Sequence, residues 1–319
     1  MEDQVKLIDQ LKVKYEELRK EIARKIIGQD EVINKILVSI FSNGHCLLIG
    51  VPGLAKTLMV TAISETLDLK YNRIQFTPDL MPSDIIGTEI LDNSKEFRFI
   101  KGPLFANIIL ADEINRTPPK TQSALLEAMQ EREITAAGTT RKLEQPFFVL
   151  ATQNPIEQEG TYPLPEAQLD RFMFSIILDY PSMEEEIAIV ESTTGVGLQK
   201  LNRIISGEEI LKYQAAIRQM PVPKHITEYA VKLVAKTRPG RTGAHPKADK
   251  YLNWGAGPRA SQFLIAGAKT YAALRGKYAP DIEDIKYVAE SILRHRIFKN
   301  YKAEAEHIQV EDLIQEFLN

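Results

Sequence analysis

The sequence predicts an α/β protein in which a parallel sheet, covered by helices on both faces, precedes an all-helical domain. Short apolar segments alternate with helical patterns up to about residue 180, as strands and crossover helices do in a parallel sheet. Beyond the turn Tyr180-Pro181-Ser182, the periodicity is helical throughout. The chain has 319 residues, enough for two domains at about 150 residues each. We therefore expect one domain over residues 1–180 and a second over 181–319.

The first elements are two helices and a strand. Apolar residues at spacings of three and four predict a helix over residues 1–25, and they are Val5, Ile8, Leu11, Tyr15, Leu18 and Ile22. We expect this helix to pack on its own domain rather than to bind a partner. Gly28 interrupts the pattern, and a second helix is predicted from Asp30 to about Phe41. A Ser-Asn-Gly turn then leads into a predicted strand over His45–Ile49.

Further apolar segments predict more strands of the same sheet. They cover Tyr71–Phe76, Ile108–Ala111, Phe147–Thr152 and Met173–Leu178. Ile108–Ala111 is apolar on both faces, which is typical of a strand buried in a parallel sheet. Helices are predicted from Lys56 onward and over Thr121–Glu131. Two stretches interrupt the alternation and predict hairpins, one at 88–101 with a turn at Asp92-Asn93-Ser94 and one at 133–146.

The second domain is predicted to be a set of helices. They lie near residues 183–193, 207–219, 224–237, 260–275, 281–295 and 310–318. Ser182 with Glu185, and Asp281 with Asp284, have the spacing of capping signals at helix starts. Residues 238–258 are rich in glycine, proline and basic residues and predict a loop.

Composition narrows the function classes. A total of 40 lysines and arginines against 43 aspartates and glutamates gives a net charge of −3, which argues against a protein that coats nucleic acid. The single cysteine, Cys46, excludes an internal disulfide framework or a four-cysteine zinc site and is predicted to be a buried thiol. The five histidines have no metal-ligand spacing. No apolar run approaches about 18 residues, and the acidic N-terminus lacks a signal sequence, so we expect a cytoplasmic protein without membrane insertion.

The segment from Gly50 to Thr57 predicts a phosphate site. It reads Gly-Val-Pro-Gly-Leu-Ala-Lys-Thr, follows a strand, opens a helix and approximates the phosphate-loop pattern G-x-x-x-x-G-K-[ST]. Backbone N–H groups of such a loop surround phosphates at the positive end of a helix. Lys56 would contact the β- and γ-phosphates, and Thr57 would ligate Mg²⁺. Ala55 departs from the pattern, and we expect Gly53 to supply the permissive backbone position instead.

Polar residues at two strand ends complete this prediction. Asp112 and Glu113 follow the strand Ile108–Ala111, where ligands bind in open α/β sheets. Asp112 would hold Mg²⁺, and Glu113 would activate the attacking water as general base. Asn154 follows another strand and would orient that water, although a turn-forming asparagine before proline explains it equally well.

These motifs resemble those of the AAA+ ATPases and, within them, the MoxR family of the magnesium-chelatase-like branch. The resemblance rests on the phosphate loop, Asp112-Glu113-Ile114-Asn115-Arg116, Ala151-Thr152-Gln153-Asn154-Pro155, Pro165-Glu166-Ala167-Gln168-Leu169-Asp170-Arg171-Phe172 and Gly257-Pro258-Arg259-Ala260. It runs from Ile26 to at least residue 297, and the family's usual Gly-Leu-Ala-Lys-Thr accounts for Ala55. It implies an AAA+ P-loop NTPase core, a parallel αβα sandwich, followed by a small all-helical lid domain.

The resemblance also implies roles for single residues. Ile27 and Gly28 lie in the segment that contacts adenine in such proteins, so the nucleotide-binding set is Ile27, Gly28, Gly50, Pro52, Gly53, Leu54, Ala55, Lys56, Thr57 and Leu58. Asn154 matches the first sensor, Arg171 the arginine finger supplied across a subunit interface, and Arg259 the second sensor. The alternatives are a surface arginine at the start of a strand for Arg171 and a salt bridge at a lid-helix N-terminus for Arg259. Arg116 would point either at a neighbouring subunit or elsewhere.

The implied function is ATP hydrolysis with Mg²⁺ in a homo-oligomeric ring, usually a hexamer. Turnover would remodel, activate or load a metal into a partner protein, and the family resemblance indicates a partner with a von Willebrand factor A domain. The hairpins would face the pore or a partner, or else cover the sheet edge. Two alternatives remain, a helicase-like nucleic-acid motor and a nucleotide-gated regulatory module.

Overall fold

The computed structural model describes residues 2–91, 95–157, 160–194 and 200–319. Its strands are β1 Cys46–Ile49, β2 Tyr71–Gln75, β3 Gly87–Leu91, β4 Phe97–Lys101, β5 Ile108–Asp112, β6 Glu133–Ala136, β7 Thr139–Lys142, β8 Phe148–Gln153, β9 Phe174–Ile177, β10 Leu252–Trp254 and β11 Phe298–Lys299. Its helices are α1 Glu2–Ala23, α2 Asp30–Phe41, α3 Lys56–Thr66, α4 Pro82–Ile86, α5 Pro119–Glu131, α6 Glu166–Leu169, α7 Met183–Thr194, α8 Gly207–Gln219, α9 Lys224–Lys236, α10 Pro246–Tyr251, α11 Pro258–Leu274, α12 Ile282–Leu293, α13 Tyr301–Ala305 and α14 Val310–Leu318.

The predicted strands form one parallel sheet in the order β2-β5-β8-β1-β9. Successive residues of β1 point to opposite faces, and they belong to two different apolar clusters. Cys46 and Leu48 pack in the cluster that contains α1, α2 and α3, whereas Leu47 packs in the cluster that contains α5. The sheet is therefore the middle layer of an αβα sandwich, as predicted, and the buried Cys46 thiol is part of its core.

Helix α1 joins the first part of the chain to the last part. Its apolar stripe packs inward, with Ile8, Leu11, Leu18 and Ile22 almost fully buried. The helix contacts α3 of the sandwich and also α8 and α11. The helix was expected to pack on its own domain; it does so at α3, but it also packs on the second predicted domain at α8 and α11.

The C-terminal part, from α7 onward, is mainly helical and follows the sequence prediction closely. Ser182 and Glu185 exchange the two hydrogen bonds of a capping box at the start of α7, and Asp281 and Asp284 do so at α12. The prediction of a continuous loop over 238–258 was wrong. Pro246 starts α10, and β10 pairs antiparallel with β11. The sequence analysis predicted only helices and a loop beyond residue 180, so this pair of strands was not predicted.

Both predicted hairpins are present. Strand β3 pairs with β4, and β6 pairs with β7, all antiparallel. The turn predicted at Asp92-Asn93-Ser94 lies outside the described residues. The guanidinium of Arg141 lies 3.8 Å from the centre of the Phe99 ring, so the two hairpins contact each other. Among the described helices, none combines the length and apolar character that crossing a membrane requires.

Candidate functional site

The phosphate loop lies where β1 ends and α3 begins. Its first residue, Gly50, donates its backbone N–H to the carbonyl of Gln153 at the end of β8. Gly53 has a φ of 90° and open space where a side chain would begin. Gly53 thus supplies a permissive backbone position, as expected, but Ala55 also has a positive φ, 53°, so Gly53 does not replace it. An alanine in this conformation costs about 1–2 kcal/mol, which is strain held at the loop.

Lys56 is the cation of the loop. Its Nζ donates to the carbonyl of Gly50, so the side chain curls back over the loop that would surround the phosphates. Burial lowers the pKa of Lys56, and the nearby carboxylates of Asp112 and Glu113 oppose that shift. Within the described residues it has no ion-pair partner, so its charge is available to an anion.

The acidic pair lies beside the loop, and the surrounding strands hold both carboxylates. Asp112 accepts hydrogen bonds from Arg73 over 2.6 Å and from the Thr152 hydroxyl over 2.7 Å. Glu113 has a φ of 58°, and its Oε2 accepts from Gln75 over 2.9 Å and from Arg116 over 3.0 Å. Arg116, whose direction the sequence left open, therefore contacts the acidic residue of its own site.

Asn154 is predicted to be the first sensor, and it lies in the same cleft. Asn154 is buried, and its Oδ1 accepts a hydrogen bond from the backbone N–H of Ile156. It therefore also forms the turn with Pro155 that the alternative interpretation predicted. The cleft measures about 430 Å³, and its walls come from the loop, β2, β5 and β8. Its lining residues are Pro52, Gly53, Ala55, Lys56, Thr57, Leu58, Arg73, Gln75, Asp112, Glu113 and Asn154.

A smaller apolar pocket of about 110 Å³ adjoins the loop. Ile27, Leu54 and Leu58 line it together with Ile189 of α7, so both halves of the chain contribute. Gly28 has a φ of 71°, and a Cβ there would lie 2.8 Å from the carboxyl carbon of Glu185. Gln29 donates to the carbonyl of Asp179, which ties this segment to the end of β9. The apolar lining of this pocket, beside the phosphate loop, has the chemistry that an aromatic base requires.

Arg171 and Arg259 lie away from this cleft. Arg171 precedes β9, and the backbone next to it, at Met173, pairs with His45 at the start of β1. The phosphate loop begins at Gly50, beyond the other end of β1, about 16 Å from His45 at 3.3 Å per residue. Arg171 and Arg259 instead line a separate cavity of about 170 Å³ with Asn43, His45 and Arg132. Arg259 also makes the salt bridge that its alternative predicted, with Asp170 over 3.1 Å.

Several polar residues of these sites escaped the sequence analysis. Arg73 and Gln75 lie two apart on β2, and Gln75 pairs in register with Asp112. That Arg73 and Gln75 lie beside Asp112 could be recognised only once the strand order was known, because more than 30 residues separate them from Asp112 in the sequence. Arg132 ends α5 with a φ of 57° and has no carboxylate partner among the described residues.

The residues present fit a nucleotide with a divalent metal. The Thr57 hydroxyl and the carboxylates of Asp112 and Glu113 are oxygen donors of the kind that Mg²⁺ prefers. No group of three or more His, Cys, Asp or Glu side chains in the described ranges could hold a metal alone. Mg²⁺ usually takes one or two carboxylates together with phosphate oxygens and water.

The fold and this site define a nucleotide-hydrolysing class. Residues 45–174 match the family described as "ATPase family associated with various cellular activities (AAA)", and residues 247–317 match "AAA lid domain". The chain is thus an ATP-hydrolysing AAA enzyme with a lid.

It is 44% identical to Chaperone MoxR1 of Mycobacterium tuberculosis over 93% of this chain and 79% of that protein. It is 30% identical to Protein MoxR of Methylorubrum extorquens over 93% of this chain and 91% of that one. A candidate ATPase from Cytophaga hutchinsonii superposes with a TM-score of 0.91 at 43% identity, covering 98% of this chain and 96% of the other. The chain belongs to the MoxR family of AAA+ ATPases.

Proposed function

We propose that this chain hydrolyses ATP with Mg²⁺ at the interfaces of a homo-oligomeric ring in the cytoplasm, with six subunits. Turnover would drive chaperone-like remodelling, activation or metal loading of a partner protein. One observation carries the proposal: Lys56, Thr57, Asp112 and Glu113 share one cleft, while Arg171 and Arg259 share a cavity at the opposite end of β1. AAA+ ATPases typically form rings, and this arrangement supports two half-sites that meet only between subunits.

The first half-site would bind the nucleotide. The backbone N–H groups of the phosphate loop and the Lys56 ammonium would hold the phosphates, and Thr57 with Asp112 would hold Mg²⁺. When bound, Mg²⁺ would supply positive charge against the charge that develops on the phosphates. Ile27, Leu54 and Ile189, which line the apolar pocket, would contact the adenine. Because Ile189 lies on α7, bound nucleotide would fix the lid relative to the core.

Glu113 would act as general base for the attacking water. In the present arrangement Gln75 and Arg116 hold its Oε2, and any rotation of the carboxylate toward the water would have to break these bonds. Asn154, which lines the same cleft, would orient the water against the terminal phosphate. These roles follow from the positions of the side chains at strand ends.

The second half-site would act on the nucleotide of a neighbouring subunit. Arg171 makes no side-chain hydrogen bond or ion pair within the described residues, and it lies too far along the sheet to reach its own phosphate loop. Arg259 lines the same cavity, so we assign both guanidiniums to the neighbour's terminal phosphate. A finger of this kind contributes roughly 10³–10⁵ in rate, because it stabilises charge in the transition state.

Subunit mixing tests the division into two half-sites. Lys56→Ala should lose nucleotide binding, and Arg171→Ala should bind nucleotide and fail to hydrolyse it. Mixed rings should regain part of the activity, because a Lys56→Ala subunit still supplies Arg171 to its neighbour. Arg203→Ala, which removes an exposed ion pair with Asp68, is the control and should turn over normally. Normal turnover by Arg171→Ala would refute the assignment.

The partner is tested with a trapped ring. Glu113→Gln should bind ATP and assemble without hydrolysing it, so a tagged form held in ATP should retain its partner. Recovery of a protein with a von Willebrand factor A domain, and stimulation of wild-type turnover by that protein, would support the proposal. Recovery of DNA, or stimulation by DNA, would instead support the nucleic-acid motor. A cell phenotype unaffected by Glu113→Gln would support the nucleotide-gated regulatory module.

A further inference from the structure

The turn Arg294–Arg296, which follows α12 in the lid, contacts the segment that carries Arg171. Arg296 donates from Nε to Oδ1 of Asp170 over 2.7 Å and from Nη2 to the Asp170 carbonyl over 2.9 Å. It also donates to the carbonyls of Phe172 over 2.6 Å and Met173 over 3.3 Å. These oxygens lie on both sides of Arg171 in the sequence, so one side chain of the lid fixes the backbone around the proposed finger.

The surroundings of Arg296 make this contact rigid. The residue is 4% exposed, and its guanidinium lies 5.0 Å from the centre of the Phe263 ring on α11. Burial lowers the pKa of Arg296 to about 10, the neighbouring Asp170 opposes that shift, and the group remains a cation at neutral pH. A buried cation is tolerated only when its hydrogen bonds are satisfied, and here the finger segment supplies most of the acceptors.

Asp170 connects this contact to the second proposed arginine. Its Oδ1 accepts from Arg296, and its Oδ2 accepts from Arg259 over 3.1 Å. Arg171, the next residue, keeps its guanidinium without a hydrogen bond or ion pair in the described ranges, inside the cavity that Arg259 also lines. Asp170 thus holds the guanidiniums of Arg296 and Arg259, both of the lid. The guanidinium of Arg171, on the core, remains available to an anion.

We propose that Arg296 is a positioning residue for Arg171. By binding Asp170, Phe172 and Met173 together, it joins the finger segment, which the backbone of His45 also holds on the core, to the end of α12, so that the orientation of the lid influences the orientation of the finger. The inference rests on the proposed role of Arg171 across the subunit interface. It adds a path by which a subunit whose lid is fixed by its own nucleotide presents a fixed finger to its neighbour.

The test uses Arg296→Lys in the full chain, because lysine keeps the charge but cannot bind four oxygens in a fork. We expect kcat to fall roughly 10- to 100-fold, as for a displaced catalytic group, with KM and nucleotide affinity of the variant almost unchanged. Mixing with Glu113→Gln should restore part of the activity, because a Glu113→Gln subunit still binds the nucleotide that fixes its lid and contributes a correctly held Arg171. Arg275→Lys is the control. Arg275 is a lid arginine that pairs with a buried carboxylate, Asp284, away from the finger segment, and its replacement should leave kcat unchanged.

A double variant separates positioning from damage elsewhere. If Arg296 acts through Arg171, then Arg171→Ala with Arg296→Lys should be no slower than Arg171→Ala alone. A further multiplicative loss, or unchanged kcat in folded Arg296→Lys, would overturn the inference. Should Arg296→Lys fail to fold by thermal melting, Asp170→Asn, which keeps an oxygen acceptor but no charge, must show the same non-additivity. Full turnover by Arg171→Ala would instead refute the proposed function itself, which makes the two failures distinguishable.

Discussion

Gln75 donates a hydrogen bond from its side-chain amide to Oε2 of Glu113 over 2.9 Å, which ties the proposed general base to strand β2. Arg116 donates to the same oxygen from the other side. The carboxylate is thus held by two neighbours before any water reaches it. If the proposed base has to rotate before it activates the water, the strength of these two bonds would add to the barrier for hydrolysis.

The first prediction follows from this contact. Gln75→Ala should raise the basal kcat about fivefold, because a partly exposed hydrogen bond to a carboxylate is worth about 1 kcal/mol. KM should stay unchanged, since Gln75 donates to Glu113 rather than to the phosphate loop. Steady-state ATP hydrolysis measures both. Gln315→Ala, which removes a similar amide bond to Glu290 in the lid, is the control. A kcat that stays the same or falls would contradict the prediction.

The second prediction concerns the strained Ala55. Ala55→Gly should stabilise the fold by about 0.5–1 kcal/mol, because glycine adopts a φ of 53° without strain, and that gain exceeds its extra entropy in the unfolded chain. Urea unfolding measures the change. Ala62→Gly, in the right-handed interior of α3, should instead destabilise by about 1 kcal/mol or more. The idea fails if both substitutions destabilise to a similar extent.

The third prediction compares two glycines with nearly equal φ. Gly28→Ala should weaken nucleotide binding, because a Cβ at a φ of 71° would displace Glu185 next to the apolar pocket. Gly240→Ala imposes similar strain at a φ of 67°, but open space surrounds that position. Both variants should lose about 1–2 kcal/mol of stability, and Gly28→Ala alone should lose affinity. Equilibrium binding of a fluorescent nucleotide measures the affinity of each variant. Equal affinities of Gly28→Ala and Gly240→Ala would contradict the assignment of this pocket to the adenine.

Much of the fold could be predicted because each core strand has a local signal. Ile108–Asp112 is a short apolar run, and a helical pattern follows it. The pattern of apolar residues along the sequence is therefore enough to identify this segment as a strand. The same logic failed at β10 and β11. Each of these strands has three residues or fewer, and their pairing joins positions about 45 residues apart, which no local pattern records.

The site divides in the same way. Lys56 and Thr57 could be predicted because consecutive residues form the phosphate loop, and Glu113 because it follows a recognisable strand. Gln75, Arg132 and Arg296 could not be. Their importance depends on which carboxylate or carbonyl lies opposite them, and that depends on strand order and on how the lid packs against the core. Contacts over more than 100 residues, such as Arg296 with Asp170, are visible only in three dimensions.

The last prediction concerns pH and the buried His45. Its Nδ1 accepts from the backbone of Val149 and its Nε2 contacts the Met129 carbonyl, so the neutral ring fits the core. Burial lowers the pKa of His45 to about 4, against about 6.5 in an unfolded chain. Burial also keeps the pKa of His295 well below its ordinary value.

Since the unfolded chain takes up these protons first, stability is complete above about pH 6.5 and is lost as the pH falls toward 4. His45 alone accounts for a loss on the order of 3 kcal/mol. Urea unfolding at a series of pH values should show a shallower decline for His45→Gln than for the wild type. His225→Gln, at an exposed position, should retain the wild-type slope. Parallel slopes for wild type and His45→Gln would show that the buried ring does not set the acid sensitivity of the fold.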